Sequence, residues 1–248
     1  MSRPRVLVVR SGANPFLSME GSGAVEVVER VSHSIEPVEP PEEAFAEPAD
    51  LAIFTSQVAV ERVAGDPRLL SRFSQATSGA RLAAVGPVTA EALRRRGIEP
   101  ALVAAGSGEA LLEALPERLE GCRVLLPCGE DAAPELPDGL RRRGASVRRA
   151  VVYRKVARHR DEALEREILE RPFAAFCTTS PSAAQWLFEG LGDPAADRLR
   201  ATPAVVLGRF TRRFLEARGV GRISVASEQR FSSALSLLEE LATTAARA

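Results

Sequence analysis

Short runs of valine, alanine and leucine alternate along this chain with amphipathic stretches, and the alternation predicts strands that take turns with helices. Residues 5–10 (RVLVVR) form a β-branched run ending in the turn pair Ser11-Gly12, and 24–31 (AVEVVERV) reads as a second strand. Between them NPFLSMEGSG has room for about one helical turn. In EPVEPPEE, 36–43, the prolines withhold ladder donors, so an extended, exposed linker is expected. A regular rhythm follows: a strand to Thr55, a helix over 57–64 with Ser56 at its N-cap, a strand over 81–85, and a helix over 87–96 closed by Gly97. Next come a strand at 101–104 and a helix over 107–119 with Leu111, Leu112, Leu115 and Leu119 on one face. A strand at 123–127, a short helix at 134–143 and a strand at 147–156 complete this stretch. The remainder predicts helices at 161–170, 182–190, 210–218 and 231–243, with strands at 173–178, 203–207 and 222–226. Such alternation implies βαβ units, hence parallel sheets with helices on both faces.

Part of this pattern occurs twice. Residues 84–104 (AVGPVTAEALRRRGIEPALVA) align without a gap on 206–226 (VLGRFTRRFLEARGVGRISVA), a constant offset of 122 that matches Gly86 to Gly208 and Thr89 to Thr211. Thr55-Ser56 matches Thr179-Ser180 at offset 124, and RVLVVR matches RVLLPC at offset 118. The order is an opening strand and three βα units, repeated. An opening strand before residue 36 cannot easily share a sheet with units already supplied by 123–150, so the reading is interleaved. One domain takes 1–36 with 157–248 and the other 42–148, with linkers 37–41 and 149–156. The predicted fold is α/β: two interleaved, flavodoxin-like domains with parallel sheets flanked by helices, joined by a short two-stranded hinge. Two related modules usually face each other across a cleft, where small molecules bind.

Composition narrows the chemistry. With 248 residues, 45% apolar and 27% charged, the chain reads as a globular protein of two ordinary domains. No apolar stretch reaches the ~18 residues of a membrane span, and the N-terminal apolar run is too short for a signal peptide. Equal numbers of basic and acidic residues, 33 each, argue against a nucleic-acid partner held by global charge. Lys155 is the only lysine, which confines Schiff-base chemistry to that position. Cys122, Cys128 and Cys177 have no metal-ligand spacing and read as reduced thiols of a cytoplasmic protein. With His33 and His159 the only histidines, a histidine zinc site or a Ser-His-Asp triad is improbable.

The candidate site lies where strands give way to helices. The duplicated strand–Gly-x-x-Thr–helix pattern places Thr89 and Thr211 in first turns, where unbonded N–H groups and the dipole favour anions. Simple helix capping is the plainer reading of both threonines. Ser56 and Ser180 stand at the carboxyl ends of strands, where open α/β sheets bind ligands. Neither is set in Gly-x-Ser-x-Gly, and no Gly-x-Gly-x-x-Gly opens a helix. Tyr153, the only tyrosine, falls in the second linker; it either fills the junction or serves as a weak proton donor.

The ordered set FTS-x-x-AV, AAVGP-x-TAEAL-x-x-x-GI, RVLLP, VVYR, TTSPSA and a degraded second Gly-x-x-Thr resembles the uroporphyrinogen-III synthase family over nearly all of 50–248. Residues 1–36 depart from that pattern, as does RFTRRF, which replaces a small-residue run. The resemblance implies a monomer of two interleaved α/β domains with no cofactor. It implies a linear tetrapyrrole, hydroxymethylbilane, as substrate, closed with inversion of its last ring and loss of water. Tyr153 would be catalytic, and Ser56, Gly86, Thr89, Ser180, Gly208 and Thr211 would bind substrate. The runner-up is a non-catalytic two-domain small-molecule-binding protein; a nucleotide-dependent transferase lacks its phosphate fingerprint.

Overall fold

The computed structural model describes residues 3–12, 23–159, 162–228 and 231–245. The helical turn expected after Ser11-Gly12 lies mostly outside them. In chain order the strands are β1 (Arg5–Ser11), β2 (Glu26–Pro37), β3 (Leu51–Phe54), β4 (Arg81–Ala84), β5 (Leu102–Val103), β6 (Arg123–Gly129), β7 (Ser146–Ala157), β8 (Ala175–Thr178), β9 (Ala204–Val206) and β10 (Ile223–Val225). The helices are α1 (Gln57–Gly65), α2 (Pro67–Ala76), α3 (Pro87–Arg95), α4 (Gly108–Ala114), α5 (Glu135–Arg142), α6 (Glu162–Glu170), α7 (Pro181–Glu189), α8 (Asp193–Ala201), α9 (Arg209–Ala217) and α10 (Phe231–Ala245).

The chain divides into two compact units, one of Met1–Ile35 with Val156–Ala248 and one of Glu36–Lys155. We call them the split unit and the continuous unit. In the split unit the strand order is β2-β1-β8-β9-β10, every pair parallel. In the continuous unit it is β7-β6-β3-β4-β5, again all parallel. Read from β1 or from β6 this is the doubly wound order 2-1-3-4-5, the flavodoxin-like α/β fold. The continuous unit enters the same plan at its third strand. Each sheet therefore has one switch point, between β1 and β8 or between β6 and β3, where chain connections leave in opposite directions and a crevice opens at the strands' carboxyl ends.

Parallel sheets covered on both faces need strands that are apolar throughout, and β1 obeys. Leu7 and Val9 pack with Phe176, Leu187 and Leu215 on one face. Val6 and Val8 pack with Cys177, Phe231 and Leu238 on the other, as a period of two requires. In the continuous unit Leu51, Ile53, Val124, Leu126 and Leu140 form one such cluster.

Three local outcomes differ from the sequence reading. Helices α2 and α8 were not foreseen, although both begin at a Gly-Asp-Pro sequence; Asp66 caps α2 by accepting from Arg68 N and Leu69 N, with Pro67 in the first turn. Helix α4 stops at Ala114 rather than reaching 119, because Leu115 precedes Pro116 and is extended at φ −94°, ψ 155°. The Pro/Glu stretch is not wholly exposed, since Pro40 is buried, and just beyond it a 3₁₀ turn at Glu42–Phe45 buries Ala44 and Phe45, with the Arg72 guanidinium 4.9 Å above the Phe45 ring. The β6–β7 register also breaks between Cys128 and Gly129, and Val152 and Tyr153 are both buried.

Candidate functional site

At the continuous unit's switch point, β3 ends in Thr55-Ser56 and α1 begins. Ser56 is extended, at φ −151°, and its Oγ accepts from Ala59 N at 3.1 Å, so it caps the helix. The same Oγ lies 3.1 Å from Tyr153 Oη. Residues 97 positions apart are thus joined at one hydroxyl pair.

The register break in β6–β7 makes this possible. It sets Tyr153 opposite Gly129, and the phenol ring lies against the Gly129 Cα. A Cβ there would stand 2.7 Å from Tyr153 Cζ and 2.9 Å from Asp131 Oδ1. Glycine at 129 is thus required by close approach of a ring. On the same strand Lys155 Nζ pairs with Asp131 Oδ2 at 2.9 Å. Tyr153 is 5% exposed, and that burial raises its phenol above the ordinary value; the Ser56 hydrogen bond and the Lys155 charge pull the other way. The phenol holds its proton at neutral pH. When the Ser56 hydroxyl donates to Tyr153 Oη, the phenol proton is left to another acceptor.

Beside α1, Gly86 is the N-cap of α3. Its φ of −170° is ordinary extended backbone, so the tight turn expected of it is not why glycine is needed. Space is the reason: a Cβ would lie 2.8 Å from the Gly106 Cα, where the chain leaves β5. Thr89 is the third residue of α3 and is 5% exposed. The helix has no side-chain cap, which corrects the capping reading of this threonine. Gly208 and Thr211 repeat the arrangement at α9: an extended N-cap glycine at φ −167°, no side-chain cap, and a threonine 4% exposed. Neither threonine hydroxyl has a hydrogen-bond partner among the described residues.

In the split unit Ser180 caps α7, accepting from Ala183 N at 3.1 Å. Its Oγ is 2.5 Å from Ser11 Oγ and 3.1 Å from Ser182 Oγ, a hydroxyl cluster at that unit's switch point. The structure therefore joins Ser56 to Tyr153 in the continuous unit, with Gly86 and Thr89 at the next helix start. It places Ser180, Gly208 and Thr211 at helix starts of the split unit.

Several neighbours escaped the sequence reading: Gly129, Asp131 and Lys155 around the phenol, and Ser11 and Ser182 around Ser180. Phe210 and Val88, repeat partners in the first turns of α9 and α3, are 55% and 40% exposed. Their shared offset was a signal, but exposure is decided by packing. Among the described residues no group of three His, Cys, Asp or Glu could hold a metal ion, and no helix is long and apolar enough to cross a membrane.

These sites can be set beside known proteins. A family profile described as Uroporphyrinogen-III synthase HemD matches residues 19–236. A Methanothermobacter thermautotrophicus protein, provisionally named a uroporphyrinogen-III synthase, is 31% identical over 184 residues, spanning 71% of this chain and 72% of that one. A crystal structure of a mutant uroporphyrinogen III synthase from the extreme thermophile Thermus thermophilus superposes with a TM-score of 0.67 at 24% identity, covering 96% of this chain and 99% of that one. The Helicobacter pylori uroporphyrinogen-III synthetase gives 0.61 at 20% identity, covering 97% and 100%. At these identities the two structures speak for the fold. The profile spans well over half of the sequence, and on that ground the chain belongs to the uroporphyrinogen-III synthase family.

Proposed function

We propose that this protein is a uroporphyrinogen-III synthase, closing hydroxymethylbilane to the cyclic tetrapyrrole with inversion of ring D and loss of water. The observation that carries the reading, beside family membership, is the buried phenol of Tyr153 held 3.1 Å from Ser56 at a switch point. The chemistry asks little of a general acid. The ring-A hydroxyl departs as water once a proton reaches it, and Tyr153 Oη–H is the donor. Ring D then attacks the resulting azafulvene through its substituted carbon. The spiro bond formed re-cleaves, and the ring closes the other way round. Restoring the aromatic pyrrole releases one proton, which balances the one given to the hydroxyl, and no step changes oxidation state.

Eight carboxylates on the substrate call for many donors. The first turns of α1, α3, α7 and α9 supply open N–H groups, with Ser56, Thr89, Ser180 and Thr211 beside them. Gly86 and Gly208 start two of those turns without a side-chain cap. Holding a flexible chain in one reactive geometry accounts for much of the rate. The decisive experiment incubates the purified protein with freshly made hydroxymethylbilane and separates the oxidised I and III isomers. Isomer III well above the spontaneous background is expected; isomer I alone would refute the assignment.

A further inference from the structure

The duplication supplies an internal comparison for the surroundings of Tyr153. In the continuous unit the β6–β7 register breaks between Cys128 and Gly129 and leaves Gly129 opposite Tyr153. In the split unit the β1–β2 register breaks between Arg10 and Ser11 and leaves Ser11 opposite His33. The same backbone bond follows each break: Glu130 N donates to Tyr153 O at 2.9 Å, and Gly12 N donates to His33 O at 3.1 Å. Tyr153 thus corresponds to His33, Lys155 two residues on to Ile35, and Asp131 to Ala13. The unit that carries the phenol has an ion pair where the sequence of the other has two apolar residues, and the pair includes the only lysine of the chain.

The pair is set against the ring. Beyond the break Tyr153 and Lys155 follow at the strand period of two and share a face of β7, while Arg154 between them is exposed. Lys155 Nζ meets Asp131 Oδ2 at 2.9 Å. The other carboxylate oxygen, Oδ1, and the phenol Cζ converge on one point above Gly129 Cα, 2.9 and 2.7 Å from where a Cβ would stand. One carboxylate therefore reaches from the lysine to the space beside the phenol. The pair adds little stability: its side chains are 28% and 51% exposed, and such pairs are screened by water. Its charges act instead on a phenol that is buried, where they are felt more strongly than in water. Burial raises the phenol, the Ser56 hydrogen bond and the Lys155 charge lower it, and Asp131 and Cys128 raise it. Cys128 is itself buried, which pushes its thiol up and keeps it protonated. Two arginines nearby are held on backbone carbonyls: Arg149 Nη2 donates to Gly129 O at 3.4 Å and Glu130 O at 3.3 Å, and Arg62 Nε, from α1, to Val152 O at 3.4 Å. Lys155 is the cation on the phenol's own face of the strand.

We propose that Lys155 and Asp131 are positioning residues for proton transfer from Tyr153: the ammonium favours the phenolate left when Oη gives up its proton, and Asp131 holds the ammonium in place. The proposal rests on the reading of Tyr153 as the proton donor. The pair acts through the phenol and takes no proton itself. Asp131 alone would act the other way, because its negative charge disfavours a phenolate, so the two charges are separable by substitution.

The test titrates the phenol directly. Tyr153 is the only tyrosine, so biosynthetic replacement of tyrosine by 3,5-difluorotyrosine labels that position alone. Ring fluorination brings the phenol's ionisation down into the range where a lysine is still charged, and fluorine NMR reads its midpoint without substrate. The proteins compared are wild type, Lys155→Met, Lys155→Arg and Asp131→Asn, with kcat, KM and melting temperature measured on the unfluorinated forms. Lys155→Met should move the midpoint to higher pH and lower kcat for isomer III about threefold to tenfold, a fraction of what general acid catalysis supplies, with KM and melting temperature unchanged. Lys155→Arg restores the charge and should recover both midpoint and kcat. Asp131→Asn keeps an acceptor for Lys155 and should move the midpoint to lower pH. A wild-type midpoint in Lys155→Met would overturn the proposal, as would shifts of the same sign in Lys155→Met and Asp131→Asn. Shifted midpoints with wild-type kcat in every variant would also overturn it and leave the enzyme assignment standing. A wild-type protein that makes no isomer III would instead sink the assignment, and with it any catalytic use of the pair.

Discussion

At the residue scale, most of the proposed chemistry depends on one phenol and the glycine beneath it. Tyr153→Phe keeps the ring packed against Gly129 and removes only the donor. General acid assistance contributes ~10²–10⁴-fold where it is used, and a readily departing hydroxyl points to the low end. Isomer-III formation should fall by about that factor of 10² while isomer I accumulates; an unchanged rate and isomer ratio would reduce Tyr153 to a packing residue. The sign of its pKa shift sets a further expectation. Burial raises the phenol above its ordinary 10.0, so the acid form persists throughout the neutral and mildly alkaline range. The rate should therefore show no descending limb from this group below that value. Gly129→Ala tests the geometry separately. Its Cβ would come within 2.7–2.9 Å of Tyr153 Cζ, Tyr153 Cε2 and Asp131 Oδ1, side-chain atoms that can move aside. Activity should drop much as in Tyr153→Phe, with little change in melting temperature. Wild-type isomer ratios would show that the ring need not lie where it does.

Helix starts carry the argument at the scale of elements. Each unit begins the helix after one strand, α1 or α7, with a serine cap and the helix after the following strand, α3 or α9, with an uncapped glycine. The serine cap satisfies the third N–H of its helix, and the glycine start leaves its first-turn donors open. Gly86 cannot acquire a side chain without moving backbone, because the obstacle is the Gly106 Cα at 2.8 Å. Gly86→Ala should destabilise the protein by about 1–3 kcal/mol, as overpacking does, and should shift the start of α3. A chemical denaturation curve superimposable on that of wild type would refute the close approach.

For the whole molecule, the division of the chain makes a prediction about folding. Residues 36–155 contain five paired strands and their own core in one continuous segment. Expressed alone, this segment should melt cooperatively with an α/β circular-dichroism spectrum. Residues 156–248 should not, because they lack β1, the strand between β2 and β8. Val6, Leu7, Val8 and Val9 are each fully buried there, and burial contributes ~1.5–3 kcal/mol for each such side chain. Adding residues 1–35 in trans should restore a cooperative transition. An unfolded 36–155 segment, or a folded 156–248 segment, would contradict this division.

What the sequence determined alone was whatever near neighbours control. Runs such as RVLVVR and RVLLP, the caps at Ser56 and Ser180, and the constant offset of 122 set the strand–helix rhythm and the parallel α/β class, since periodicity and capping act within a few residues. The Gly-Asp-Pro starts of α2 and α8 were equally legible and went unread. Tertiary structure decided the rest. A bulge adds one residue to a strand and turns every later side chain over, so Tyr153 meets Ser56 only because the register breaks at Gly129. The stretch from β6 to β7 is two residues longer than that from β1 to β2, so the repeat offset is 118 in β1 and β6 but 120 in β2 and β7, which hides the correspondence of His33 with Tyr153 from any ungapped alignment. Gly86 is glycine because of Gly106, twenty residues on, and Gly129 because of Tyr153, twenty-four residues on. Such contacts arise where a sheet brings together strands distant in the chain, and no local pattern encodes them.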